Sequence, residues 1–285
     1  MPTRSGYIGG DLISAVIASG AAEQDDLMIL GMDLGTNGEI FLGNRKRLLT
    51  CSAAAGPALE GANISHGMIA KGGAIEGVTS GDEDFWYRVI SNIKPKGICG
   101  SGLVDLVAVL LHCSIVDYEG LLQPVRQYAG DKLMSRVVER SGVYDFLVAS
   151  QEESFDGRPI YLTQRDVREL QLAKGAVAAG IRTLMDEMGV GVEDIDRVYL
   201  AGALGNYVHP LSAERVGLIP TVRPGIIQSL GNAASTGASM VLLSKAYWQM
   251  ANELAHSIEH IELSTRVDFN DYFIESLNFP EKNLW

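Results

Sequence analysis

The chain has 285 residues and a mass of 30.7 kDa, enough for one or two domains. Hydrophobic residues make up 47 % and charged residues 20 %, which permits a large core and excludes disorder as the main state. The net charge is −12. An acidic surface repels nucleic-acid phosphates and anionic membranes, so neither is an expected partner. Any bound phosphate has to be held locally, by backbone N–H groups. Cys51, Cys99 and Cys113 form no C-x-x-C pair and are too few for a disulfide framework or a four-thiolate cluster. They read as reduced, buried thiols of a cytoplasmic protein.

Arg4 followed by the apolar run Leu12 to Ala22 has the look of a signal peptide, but Gly9, Gly10 and Asp11 interrupt it; an amphipathic first helix is the expectation. Leu27 to Asp33 reads as a buried strand. The turn Gly35-Thr36-Asn37-Gly38 returns it as Glu39 to Leu42, and the turn at 43–46 leads into a third strand, Leu48 to Ala54. Residues 56–96 read as irregular and Gly-rich, with one β segment at Phe85 to Ile90. Gly97 to Gly102 opens an almost wholly apolar helix, Leu103 to Val116, broken only by Asp105 and His112. The polar stretch 120–160 reads as a surface insertion holding a hairpin, Tyr144–Val148 with Ile160–Leu162, around Asp156-Gly157. Thr163 and Asp166 form a capping box before a long helix with apolar Val167, Leu170, Val177, Ile181, Leu184 and Met188 on one face and a stop at Gly189. Asp196 to Leu200 is a strand. A short helix starts near Ser212, and a long one runs from about Ser235 to Ile261. The uncharged run Pro224 to Ser244 holds Pro and several Gly and cannot span a bilayer. The alternation of strands with long helices predicts an α/β class.

Three glycine-rich turns can carry chemistry. In the first, Asp33 ends a buried strand and Gly35, Thr36, Asn37 and Gly38 follow; glycine amides can point at an anion, Thr36 can add a donor, and Asp33 can hold hydrated Mg²⁺ or orient a water. An ordinary hairpin turn needs only Asn37-Gly38. The second, with Gly100, Ser101 and Gly102, opens a helix whose first-turn N–H groups are free, which suits a phosphate as well as tight packing. The third, Gly202, Ala203, Gly205 and Asn206, follows a strand and suits a flat ring against backbone.

In that order the turns resemble those of the nucleotide-binding superfamily of acetate kinases, sugar kinases, heat-shock chaperones and actin. More narrowly, the chain resembles the C-terminal region of the reductive activators of corrinoid proteins. The resemblance rests on YIGGD (7–11), DLGTNGEIFLGN (33–44), AAAGPALEGANISHGM (53–68), GICGSGLVD (97–105), LTQRDVRELQLAKGAVAAGI (162–181), VYLAGALGNY (198–207) and STRVDFNDYFIESLNFP (264–280), and covers almost the whole chain. It implies an RNase H-like, actin-like ATPase lobe with a mixed sheet flanked by helices, as one domain: a core over 27–119 and 162–262, an insertion at about 120–161 and a tail at 263–285. It implies ATP and Mg²⁺ as cofactors, ATP-driven reduction of a Co(II) corrinoid on a partner protein, and a homodimer. Asp33 and Glu39 would act on Mg²⁺ and water, with Asp33 as the metal ligand. Gly35 to Gly38 and Gly100 to Gly102 would lie by the phosphates, and Gly202, Ala203, Gly205 and Asn206 by the adenosine. Ile69 stands where the family pattern has a basic residue. The superfamily cleft has two lobes, each with its own acidic Gly-Thr turn; this sequence holds one such turn and no cluster cysteines, so half a cleft is the expectation. A small-molecule kinase and a docking or dimerisation module without nucleotide remain as alternatives.

Other features have plain readings. His256-Ser257-Ile258-Glu259-His260 fits an inverted zinc-protease pattern but has no third ligand. Asn63-Ile64-Ser65 is a formal glycosylation acceptor. Cys99 has no base nearby in sequence. Glu60 and His66 are polar in a stretch of small residues, facing either a cleft or the core.

Overall fold

The computed structural model describes residues 9–81, 84–124, 131–205 and 207–281. In chain order the elements are α1 (Gly10–Ser19), β1 (Ile29–Leu34), β2 (Gly38–Gly43), β3 (Leu48–Ala53), β4 (Ala74–Ser80), β5 (Phe85–Val89), β6 (Gly97–Ile98), α2 (Gly100–His112) and α3 (Asp131–Met134). They continue with β7 (Val137–Arg140), β8 (Val143–Ala149), β9 (Ile160–Leu162), α4 (Gln164–Met188), β10 (Arg197–Ala201), α5 (Gly202–Gly205), α6 (Pro210–Arg215) and β11 (Ile227–Gly231). The last are α7 (Ala233–Leu243), α8 (Lys245–Ser257), β12 (Glu259–His260) and α9 (Val267–Glu275).

The central sheet runs β11-β10-β1-β2-β3-β12. The meander β1–β2–β3 is antiparallel, whereas β10 adds to β1 in parallel and β11 adds to β10 in parallel. This is the mixed, RNase H-like sheet that the resemblance implies. Alternation sends successive residues to opposite faces. Leu30, Met32, Leu34, Ile40 and Leu42 pack in one core with α4, while Ile29, Phe41 and Tyr199 pack in another with Leu12, Ile13, Val16 and Ile17 of α1.

α4 forms as its sequence dictates. The Thr163 hydroxyl accepts the Asp166 N–H, the Asp166 carboxylate accepts the Thr163 N–H, and Gly189 closes the helix with φ 74°. A Cβ on Gly180 would meet Ile40, so glycine lets α4 lie close over β2. The predicted hairpin is present as β8–β9, with Phe146 opposite Leu162.

Four expectations are corrected. Residues 56–96 are not irregular throughout: β4 pairs with β5 and β6 in a second sheet. The 120–160 stretch is no mere surface excursion, because Phe146, Val148 and Ile160 are buried in the main core. α1 is not amphipathic: it is sandwiched between the sheet and α7, and Gly237 of α7 sits against the Ser14 carbonyl. The long final helix is two, since Ser244 adopts extended backbone (φ −137°, ψ 125°) and Ser257 ends α8.

Candidate functional site

Parallel pairing places the first and third turns side by side. β1 and β10 run in the same direction with Asp33 opposite Ala201, so the turns at their carboxyl ends emerge together, where α/β sheets bind ligands. They touch. Gly202 has φ 81°, and a Cβ there would fall 2.4 Å from Asp33 Oδ1. The second turn arrives from the other sheet: β6 pairs with β4 in parallel and delivers Gly100 at the start of α2.

The three meet around a cavity of about 290 Å³ lined by Leu34, Glu60, Ile69, Cys99, Gly100, Ser101, Leu204 and Tyr207. No side chain caps the N-terminus of α2. Its first-turn amides therefore retain the donor capacity and positive dipole end of an open helix start. Ile69 is 63 % exposed at this cavity, an apolar group at its rim.

Not every predicted group faces the cavity. The Gly35 N–H donates to the Asn37 carbonyl at 3.2 Å, closing the turn on itself, and the Thr36 hydroxyl donates to Glu60 Oε2 at 2.7 Å. Asn37 instead lines a separate cavity of about 500 Å³ with Ser52, Ala176, Leu263 and Phe273. Gly38 leans on Val177 of α4. Gly100 and Gly102 are glycines for packing: Cβ atoms there would fall 1.7 Å from the Leu59 carbonyl oxygen and 2.1 Å from that of Ile75. The Ser101 hydroxyl donates to the Glu76 carbonyl at 2.8 Å. Gly205 fits close to Leu200, Ala203 lies within α5, and Asn206 lies outside the described residues.

Asp33 and Glu39 face each other across β1 and β2, but on the α1 face of the sheet, one residue removed from Leu34 and the cavity. Burial, then the negative charge of Asp11, hold the Asp33 carboxyl above its ordinary range. Glu39 is pushed up to about 7 by burial, then by Asp11; its own backbone hydrogen bond lowers it and Asp33 raises it further. Uncompensated carboxylates of this kind favour a nearby cation. Among the described residues no group of three or more His, Cys, Asp or Glu side chains is arranged to hold a metal ion. Any divalent ion here would take one or two protein carboxylates and draw its other ligands from phosphate and water, the habit of Mg²⁺.

The remaining sequence candidates resolve plainly. Glu60 belongs to the cavity. His66 lies 6.2 Å from the Tyr161 ring, and burial lowers its pKa. His256 lies in the last turn of α8 while His260 sits in β12 beside β3, so the two do not share a helix face. Cys99 is buried with its thiol on the Ile75 carbonyl, and all three cysteines are free. Among the described residues no helix is long and apolar enough to cross a membrane. Sequence reasoning missed Glu60 as a partner of Thr36, and Tyr207.

Residues 27–285 match the family model described as the C-terminal domain of RACo, the ASKHA domain. The chain is 36 % identical to the corrinoid activation enzyme RamQ of Eubacterium limosum, over 99 % of this chain and 47 % of that protein. It is 28 % identical to the [Co(II) methylated amine-specific corrinoid protein] reductase of Methanosarcina barkeri, over 95 % of this chain and 49 % of that one. A solved structure, a reductive activator for corrinoid,iron-sulfur protein, superposes with a TM-score of 0.89 at 37 % identity, over 98 % of this chain and 44 % of that chain. The chain thus spans about half the length of the relatives it matches.

Proposed function

The chain belongs to the family of C-terminal ASKHA domains of reductive activators of corrinoid proteins, and from that premise we propose that it binds Mg-ATP where its three turns meet and serves the ATP-dependent reduction of a Co(II) corrinoid on a partner protein. The observation that carries this reading is the convergence of Leu34, Gly100–Ser101 and Leu204 on one cavity beside the uncapped start of α2. The α2 amides would bind the phosphates together with the turn at Gly35, Thr36, Asn37 and Gly38. Gly202, Ala203, Gly205 and Asn206 would lie along the adenosine. Asp33 and Glu39 would hold Mg²⁺ through its waters and orient the attacking water. Their crowded, half-buried carboxylates fit that charge. Hydrolysis would supply the free energy that moves this domain against the rest of the activator.

The chain as one domain, with the 120–161 stretch as an insertion, is part of the same reading. So is a cytoplasmic homodimer, for which Leu242, Leu243 and Trp248, exposed at the junction of α7 and α8, offer an apolar surface.

Calorimetric titration with Mg-ATP tests the proposal. Saturable heat is expected, weakened when Mg²⁺ is withheld and in Asp33→Asn. No heat at millimolar nucleotide would favour a docking module instead. ATP turnover that rises when a Co(II) corrinoid protein is added separates an activator from a small-molecule kinase.

A further inference from the structure

The cavity that Asn37 reaches lies apart from the turn cavity and shares no lining residue with it. Its volume of about 500 Å³ falls in the ordinary range of small-molecule sites, about 300–1,000 Å³. The turn between β1 and β2, the end of β3, α4, the segment 260–264 and α9 enclose it. α9 carries no fully buried residue. Polar contacts fix it to α4: Arg182 pairs with Glu275 at 2.6 Å and lies 4.1 Å from the Tyr272 ring, whose hydroxyl donates to Asp186. Phe269 and Phe273, half-buried and stacked at 6.4 Å, form a wall of the cavity.

The chemistry of the walls selects a ligand. Beside the two rings, Leu263 and Ala176 are apolar. Glu262 brings a negative charge; its Oε1 accepts the Ser264 hydroxyl at 2.8 Å, and its Oε2 stands 3.9 Å from His260 Nε2. No lysine or arginine lines the cavity. The side chains of Asn37, Ser52 and Asn270 line it and make no hydrogen bond among the described residues. An anion would meet the carboxylate with no arginine or lysine to offset it. A compact ammonium would give up strongly held water to face phenyl rings. An alkylated ammonium suits both walls, because its charge is spread over methyl groups that can lie on aromatic faces while the carboxylate balances it.

We propose that this cavity binds a small tertiary or quaternary ammonium compound. The alkylated nitrogen sits by the Phe269–Phe273 wall and Glu262, and a polar end of the ligand takes the unused donors and acceptors of Asn37, Ser52 and Asn270. This site stands independently of the nucleotide reading given above.

The test uses the full chain without nucleotide and three probes. Choline carries the methylated cation and a hydroxyl. Its neutral isostere has carbon in place of the quaternary nitrogen. Ethanolamine keeps the hydroxyl and the charge but has no methyl groups. In calorimetric titrations choline is expected to bind saturably and on the order of tenfold more tightly than either of the others. Glu262→Gln retains an oxygen for Ser264 and should bring choline down to the affinity of the isostere. Phe269→Leu should weaken choline more than the isostere; if that variant does not fold, Glu262→Gln decides. An isostere that binds as tightly as choline overturns the proposal by removing the role of charge, and ethanolamine that binds as tightly overturns it by removing the role of the rings. Choline affinity unchanged in Glu262→Gln places its binding elsewhere and overturns the proposal, as does the absence of saturable heat with choline.

Discussion

Lys174 is a sharp test of the energetics that hold this fold together. It lies on α4, fully buried, with its ammonium nitrogen donating to the Asn278 carbonyl and standing 5.2 Å from the Phe279 ring. No carboxylate pairs with it among the described residues. Burial pulls its pKa from 10.5 down to about 7. Between those values the unfolded chain carries a proton that the folded chain lacks, so stability rises with pH at about 1.4 kcal/mol per unit. It is lowest below pH 7, where the folded state must hold a buried cation, and levels off above 10.5. Lys174→Met removes the titrating group at similar volume. It leaves the Asn278 carbonyl without its donor, at about 1–3 kcal/mol, independent of pH. Urea unfolding of both proteins from pH 6 to pH 9 isolates the effect. Relative to the Met variant, the Lys protein should gain roughly 2–3 kcal/mol between pH 7 and pH 9. A difference that stays flat over this range would refute the claim that Lys174 is held in a site hostile to its charge.

Two glycine substitutions probe the site. Gly100→Ala places a Cβ 1.7 Å from the Leu59 carbonyl oxygen, a backbone atom that cannot rotate away; overpacking of this kind costs about 1–3 kcal/mol, read as a lower urea midpoint, and a midpoint equal to that of the parent would deny the close approach of α2 to residues 57–60. Gly202→Ala combines φ 81° with a collision at Asp33 Oδ1. It should cost about 1–2 kcal/mol of stability and displace Asp33, so Mg-ATP binding should fall as well; an unchanged titration would show that the first and third turns act independently.

Much of the fold was legible because several segments carry their own punctuation. Thr163, Asp166 and Gly189 mark both ends of α4, and the short turns at 35–38 and 43–46 set the meander. Where tertiary context decides, the signal fades. β4 contains Gly77 and does not alternate: Ala74, Ile75, Gly77 and Val78 are all buried, and the register shifts between Ile75 and Gly77. α1 has no polar face because both of its faces are covered. Ser244 breaks the last helical run without Gly or Pro, so nothing local announces the break.

The site follows the same division, and the reason is topological. A turn read alone is ambiguous: the Gly35 and Thr36 donors are spent within the turn and on Glu60, and Gly100 and Gly102 serve packing as much as any ligand. What brings these turns together is that β1 and β10 are parallel neighbours, and that β6, parallel to β4, points the open end of α2 toward the same cavity. Sequence order carries no statement of which strands pair in parallel. The same geometry separates roles that the sequence had joined. Leu34 and Asp33 are adjacent in the chain, yet strand alternation sends one toward the cavity and the other to the α1 face, where Glu39 and Asp11 accumulate negative charge. Under the proposed reading the phosphates and the cation would sit on opposite sides of one strand end, beside Gly202, which lies against Asp33 and Leu34. A nucleotide that engaged both would cross the turn at 35–38, where the Thr36 hydroxyl is held by Glu60, so opening of the Thr36–Glu60 hydrogen bond is the change this reading predicts.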